Sequence, residues 1–249
     1  MSRQNILITG ASSGLGKGMA IEFAKMGRNL ALCARRFERL EELKKELLDI
    51  NPNIKVEIRS LDVDNSDQVF EVFKAFKEDF KTLDRIIVNA GMGKGASIGT
   101  GYFYANKQTA VTNFVSALAQ CEAAMEIFRE QNAGHLVTIS SVSAIRGARR
   151  ALNVYAATKA ALTSMSEGMR IDVLATPIKV STVHPGFIRS ELNEKVKKVP
   201  FMVDTETGCK AIVKAIEKEG ANSYVPAWPW LPIRYVLSIA PLSWLKVLA

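Results

Sequence analysis

Thr9-Gly10-Ala11-Ser12-Ser13-Gly14-Leu15-Gly16 follows the apolar run Asn5-Ile6-Leu7-Ile8 and precedes a helical pattern over Lys17–Met26. A strand, a glycine turn and a helix in that order form a dinucleotide-phosphate site. Gly10 lets the chain leave the strand tightly, Gly14 lets the backbone approach a pyrophosphate, and Gly16 lets the helix pack against the strand. With Ser12, Ser13 and Leu15 in the turn, the helix start offers free N–H groups and the positive end of its dipole to phosphate oxygens. Glycine spacing alone arises in turns by chance; the flanking strand and helix give it meaning.

The same beat runs through the chain. Strand-like runs at Asn5–Thr9, Asn29–Ala34, Lys55–Arg59, Arg85–Asn89, His135–Ser140, Lys179–His184 and Ser223–Pro226 alternate with helical patterns near 15–26, 37–50, 66–80, 105–130, 154–174 and 205–219. Over 37–50, Leu40, Leu43 and Leu47 share one helical face with Glu and Lys opposite. The alternation predicts an α/β fold, a Rossmann-like doubly wound parallel sheet of about seven strands with helices on both faces. No repeat, linker or low-complexity segment interrupts the 249 residues, so 1–249 read as a single domain, with 227–249 a hydrophobic C-terminal extension.

The net charge of +8 suits nucleic acid, a membrane surface or an anionic ligand. With no basic helix interleaved with aromatics and no zinc-finger spacing, no nucleic-acid partner is expected. Cys33, Cys121 and Cys209 are isolated and odd in number, which predicts small buried hydrophobes in a reducing compartment, without disulfides or a metal site. Residues 1–4 lead into a short strand and not a signal-peptide core, so a cytoplasmic protein is expected. His135 and His184 lack partner spacing and read as structural. Gly93-Lys94 invites a phosphate-loop reading, but that motif needs glycine at 88 and Ser or Thr at 95, where this chain has Val and Gly. The glycines of 91–101 instead suit a close pass by bound cofactor.

Tyr155 and Lys159 stand four apart in a helical pattern and so share a face. An ammonium near a phenol favours the phenolate and lowers its pKa from about 10. Such a tyrosine can exchange a proton with an alcohol or carbonyl near neutral pH. Tyr-x-x-x-Lys alone is a common surface pair; the glycine turn upstream turns it into a catalytic candidate.

Over about residues 5–226 the chain resembles the NADP-type, bacterial-looking members of the short-chain dehydrogenase/reductase family. Thr9, Gly10, Gly14 and Gly16 match the family's glycine turn, and Asn89-Ala90-Gly91 its Asn-Ala-Gly. Asn113 matches its helix asparagine, Ser141 its serine, Tyr155 and Lys159 its Tyr-x-x-x-Lys, and Pro185-Gly186 its Pro-Gly. The resemblance implies that Tyr155 donates or accepts the proton, and that Ser141 bonds the substrate oxygen. It further implies that Lys159 holds the nicotinamide ribose and depresses the Tyr155 pKa, while Asn113 seats a water in a proton relay. Ser141 lies fourteen positions before Tyr155, about one more than usual, which leaves Ser140 as the neighbouring candidate. Asp62, with Val63, resembles the family's adenine contact, and Ile188 and Ser190 the segment that holds the carboxamide and diphosphate.

An NAD site would place an acid about 20 residues past the glycines, where this chain has Arg35 and Arg36. Guanidinium groups pair with phosphate in bidentate fashion, so NADP(H) is the expected cofactor; the alternative is two solvated loop arginines. These readings predict an oxidoreductase acting on a carbonyl or secondary alcohol of a small, hydrophobic substrate, assembled as a homodimer or homotetramer. The rivals are an NADP-binding regulator without turnover, and a peripheral membrane protein whose tail carries the main role. Arg146, Arg149 and Arg150 fall near the expected pocket mouth, where they could meet an anionic ligand or remain solvated. The segment 187–204, with Val199-Pro200-Phe201-Met202, takes the place of a substrate loop. All three tryptophans, Trp228, Trp230 and Trp244, fall in the last 22 residues, which break at Pro226, Pro229, Pro232 and Pro241. That tail is expected to lack a long amphipathic helix, and to cap the site, seal a subunit contact or lie on a bilayer surface.

Overall fold

The computed structural model describes residues 3–191 and 200–244; Val199 and the chain beyond Trp244 lie outside them. Its strands are β1 (Asn5–Thr9), β2 (Asn29–Ala34), β3 (Val56–Ser60), β4 (Arg85–Val88), β5 (Gly134–Ile139), β6 (Ile178–Pro185) and β7 (Asn222–Val225). All pair in parallel, in the order 3-2-1-4-5-6-7. The helices are α1 (Gly14–Lys25), α2 (Phe37–Ile50), α3 (Ser66–Phe80), α4 (Phe103–Ala110), α5 (Ser116–Gln131), α6 (Leu152–Asp172), α7 (Thr205–Glu217) and α8 (Ala227–Ile239). This is the expected Rossmann-like architecture.

Successive side chains on a strand point to opposite faces, and here both faces of the central strands are covered, so these are mostly apolar, while the edge strands β3 and β7 carry polar residues. Leu7, Ile86 and Leu136 face Phe73, Phe76, Phe128 and Leu162 on one side of the sheet. Ile6, Ile8, Ile87 and Val137 face Phe23, Leu40, Leu47 and Ile212 on the other. Strand order reverses between β1 and β4, and a crevice opens at such a switch point beyond the carboxyl ends of the strands.

Two elements differ from the sequence reading. The helix expected near 105–130 is α4 and α5 joined through a π-helical turn at Val111–Val115, with Asn113 at its centre. The tail does form a helix. Trp228 departs from helical dihedrals inside α8, so Pro229 takes the first helical position beyond it, where its missing N–H has no intrahelical acceptor, and Pro232 lies inside the helix at the place of the first intrahelical bond. Among the described residues no helix is long and apolar enough to cross a membrane.

The amino ends of the strands carry a buried polar cluster. Arg85, 1% exposed, donates from Nε to His135 Nδ1 at 2.9 Å and pairs with Glu217, which Arg28 also reaches. Arg3 closes the cluster through Glu219 at 2.8 Å. Because Arg85 can only donate, His135 carries its proton on Nε2 and donates it to Ser181 Oγ at 2.8 Å. Burial, then the Arg85 charge, pushes the His135 pKa from 6.5 down to about 3. The unfolded chain therefore binds a proton that the folded chain refuses between those values, and stability falls as pH drops below 6.5 toward 3. His135→Asn should flatten that part of the profile, so that its stability deficit against the parent protein shrinks as pH falls. Denaturant midpoints across the acid range check this; a deficit independent of pH would contradict it.

Candidate active site

The glycine turn is closed by contacts that admit no side chain. A Cβ on Gly16 would stand 2.3 Å from the Gly10 carbonyl oxygen and 2.8 Å from the Asn89 amide nitrogen. Gly10 and Gly14 have φ of +65° and +53°, the left-handed region that glycine enters at no steric cost. Thr9, which the sequence reading used only as a motif letter, ties the turn to the end of β4. Its Oγ1 accepts from Asn89 and Ala90 backbone N–H groups at 3.0 and 3.1 Å. Asn89 Nδ2 donates back to the Thr9 carbonyl at 2.9 Å.

The start of α1 is built differently from its neighbours. Asn65 caps α3 through Gln68 N–H, and Asp204 caps α7 through Thr207 N–H. Ser13, at the cap position of α1, makes no such bond, and the first turn carries no acid. Its N–H groups and dipole end are thus uncompensated by a side chain, which suits an external anion. Ser190 lies against this turn, 3.5 Å from where a Gly14 Cβ would be. Ile188 is buried against Gly208 and bridges to Val203, so the chain after β6 runs over the turn.

Arg36 donates to Ser12 Oγ at 3.2 Å and Ser13 Oγ at 2.6 Å. Arg35 is solvent-exposed. Arg39, which sequence reasoning missed, joins Arg36 through one carboxylate: Glu191 accepts from Arg36 at 3.0 Å and from Arg39 at 2.5 Å. These arginines hold the Glu191 pKa below the usual carboxylate range, the Arg39 bond foremost. Asp62 is half-buried and Val63 buried at the end of β3, beside Ala34, whose carbonyl accepts from Leu61 N–H at 3.0 Å.

On the other side of the crevice Tyr155 and Lys159 share one face of α6, with Lys159 Nζ 5.9 Å from the tyrosine ring centre. Lys159 is buried and donates to the Ile139 carbonyl at 2.8 Å; burial brings its pKa down to about 8. The expected lowering of the Tyr155 pKa is not what prevails. Burial raises it, and the opposing influence is a hydrogen bond with the Ser141 side chain. Ser140 points elsewhere, bonding the Lys159 carbonyl at 2.9 Å and Thr163 Oγ1 at 2.8 Å. Of the serine pair, then, Ser141 meets Tyr155.

Asn113 Oδ1 accepts from Met92 N–H at 2.7 Å, and its Nδ2 donates to the Met92 carbonyl at 2.8 Å and Thr158 Oγ1 at 3.3 Å. The π turn that aims it is a distortion common at functional sites. Gly91 lies between: a Cβ there would stand 3.2 Å from Asn113 Oδ1 and 3.5 Å from Lys159 Nζ. Tyr155, Lys159, Ser141, Asn113 and Gly91 thus gather beside the glycine turn.

The remaining candidates sort themselves by burial. The three cysteines are buried, and burial pushes Cys121 and Cys209 up to about 12 and Cys33 upward too, so all stay thiols. His184 stacks on Tyr224 at 4.6 Å with its pKa lowered by burial. No group of His, Cys, Asp or Glu among the described residues could hold a metal. Arg146 donates to the Leu237 and Ser238 carbonyls, at 3.2 and 2.7 Å, and so serves the end of α8 rather than the pocket mouth.

The inner face of α8 is a cap. Trp230, 5% exposed, packs edge-on to Phe187 and Phe201. It lies over Gly186, just after Pro185, where a Cβ would fall 1.9 Å from the indole nitrogen.

A glycine-turned dinucleotide crevice flanked by a Ser-Tyr-Lys set defines an oxidoreductase of the nicotinamide-dependent type. Residues 4–200 match the family model described as short chain dehydrogenase, and the chain belongs to that family. It is 47% identical over 241 residues to an uncharacterised oxidoreductase of Mycobacterium tuberculosis, covering 97% of this chain and 95% of the relative. A short-chain dehydrogenase from Sphingobium yanoikuyae, solved with NADPH, superposes with a TM-score of 0.82 at 24% identity over 94% of this chain and 92% of its own. A short chain dehydrogenase/reductase from Burkholderia phymatum, solved with NAD, gives 0.83 at 20% identity over 94% of each chain. The fold therefore accepts either cofactor, and the choice lies in side chains.

Trp230→Ala should cost about 3 kcal/mol, the low end for a buried tryptophan, because the indole N–H has no partner to lose among the described residues. A chemical-denaturation midpoint shifted by less than a third of that would show that α8 is not a structural cap.

Proposed function

We propose that the chain is an NADP(H)-dependent oxidoreductase acting on an apolar carbonyl compound or secondary alcohol. One observation carries this reading: the Ser141 side chain meets the Tyr155 hydroxyl within reach of Lys159, at the open side of the glycine turn. A nicotinamide dinucleotide suits the residues present. The uncapped start of α1 fits its pyrophosphate, and the side-chain-free step at Gly91 leaves room beside Lys159. Arg36, steadied by Ser12 and Ser13, fits a 2′-phosphate, and Arg39 extends the same cationic patch. When bound, the cofactor supplies or accepts the hydride.

The protein's part is to hold and move a proton. Burial keeps the Tyr155 phenol protonated, so it donates to a carbonyl oxygen as negative charge develops there. Ser141 offers that oxygen a second hydrogen bond. The nearby Lys159 ammonium makes the departing proton less costly by stabilising the phenolate. Asn113 holds the loop after β4 in register with Lys159; its two amide protons are already engaged, so a water relay would use its main chain. The apolar substrate class rests on a cavity of about 440 Å³ whose walls include Ile98, Tyr102, Phe103 and Val154, the residue before Tyr155.

NADPH should bind more tightly than NADH, and Arg36→Asp should narrow or invert the preference, because a carboxylate repels a 2′-phosphate and accepts from a 2′-hydroxyl. Equal dissociation constants in the parent protein, by fluorescence titration, would refute the assignment. Tyr155→Phe should lower kcat by about 10²–10⁴, the scale of general acid–base catalysis, while leaving NADPH affinity nearly intact. Turnover with ketones and aldehydes found by screening provides the assay. A Phe variant at the parent rate would remove Tyr155 from the mechanism and reopen the reading as a cofactor-binding regulator.

A further inference from the structure

The outer face of α8 is as apolar as its inner face. Leu231, Tyr235, Val236 and Ile239 project outward at helical spacing, Leu242 continues the stripe, and Trp228 and Trp244 flank it. Ile239 is 84% exposed, Trp228 78% and Leu242 75%. Single exposed apolar residues are ordinary, but a continuous apolar face on a surface helix marks an interaction site.

Charge indicates what that face meets. Residues 220–249 contain no Asp or Glu, and neither do 131–166 nor 85–121. The structure joins these acid-free segments. Arg146 binds the end of α8, and Arg149 and Arg150 follow it in the loop leading to Ala151. A Cβ on Gly95 would fall 2.7 Å from the Ala151 carbonyl, which brings the 94–107 segment, with Lys94, Lys107 and exposed Ile98, Tyr102, Phe103 and Tyr104, against that loop. Arg234 lies on α8 between the rings of Tyr224 and Tyr235, at 4.9 and 4.4 Å. The acids of β7's neighbourhood, Glu217 and Glu219, sit at the opposite end of the sheet with Arg85.

We infer that α8 and the adjoining arginine loop form a docking surface for an anionic lipid bilayer, with the α8 stripe entering the headgroup boundary and the arginines on lipid phosphates. Tryptophan and tyrosine favour that boundary because one part of the ring system is apolar and the other polar. Arginine stems can lie along apolar surface while the guanidinium reaches phosphate. A second copy of this chain is a poorer occupant, since a two-fold contact would set two cationic, acid-free faces against each other. The surface acts independently of turnover, so its test does not depend on a substrate.

The full chain is mixed with phosphatidylcholine vesicles with and without phosphatidylserine, then sedimented, with NADPH binding and oligomer size measured in parallel. We expect sedimentation with the anionic vesicles only, weakened by salt, and a blue shift of tryptophan emission from Trp228 and Trp244. Ile239→Glu with Leu242→Glu changes two solvent-facing side chains; it should abolish both signals and leave NADPH binding and melting temperature unchanged. Arg149→Glu with Arg150→Glu should weaken vesicle binding by about tenfold or more. Equal partition to neutral and anionic vesicles, or none to either, overturns the inference. So does a solution dimer that the Ile239→Glu, Leu242→Glu variant dissociates, because a second copy would then cover the face.

Discussion

The constraint on which the crevice depends is the contact of Gly16 with the Gly10 carbonyl and the Asn89 amide. It brings the first helix down onto the first strand and locks both to the end of β4, the point at which the sheet reverses order. Any side chain at Gly16 would push α1 away, and with it the helix terminus that faces the crevice. Thr9 reinforces the junction by taking two backbone N–H groups from the β4 exit. That exit leads into Gly91 and Met92, which Asn113 grips. The glycine turn and α6 are thus linked through Asn89, Met92 and Asn113, whose Nδ2 donates to Thr158.

The two ends of the sheet divide chemistry from structure. At the amino ends, the buried Arg85 cation pairs with Glu217 and Glu219, and neutral His135 bonds Arg85 and Ser181, so these groups satisfy one another within the fold. At the carboxyl ends, polar groups are left facing outward: the uncapped α1 terminus, Tyr155 with Ser141, and the arginines Arg36 and Arg39. Burial moves His135 and Tyr155 in the same direction, toward the neutral form. It silences His135 and keeps the Tyr155 phenol protonated.

Much of this was legible in the sequence because it is local. Strand–turn–helix spacing around Gly10, Gly14 and Gly16, the four-residue step from Tyr155 to Lys159, and the alternation of apolar strand runs with helical stretches are set by backbone periodicity. Where the reading went astray, the cause was a long-range partner. Its place between Ser141 and Tyr155 points Arg146 to the pocket mouth, yet its acceptors are the carbonyls of Leu237 and Ser238, more than ninety residues away. Arg39 escaped notice because its link to Arg36 runs through Glu191. The tail helix is not legible from its prolines, because their effect depends on where the helix starts: the non-helical Trp228 puts Pro229 at its first position.

The sequence by itself determined the class of fold, the cofactor crevice and the tyrosine–lysine pair, since each depends on neighbours within one turn of helix or one strand. Tertiary structure decided which serine meets Tyr155, which arginine is anchored beside the glycine turn, and the direction in which the Tyr155 pKa moves. It also decided that one face of the tail helix closes over Gly186 while the other is left to the exterior. These are matters of burial and of contacts between distant segments. Desolvation is a property of how the chain packs around a group, and spacing along the chain carries no record of it.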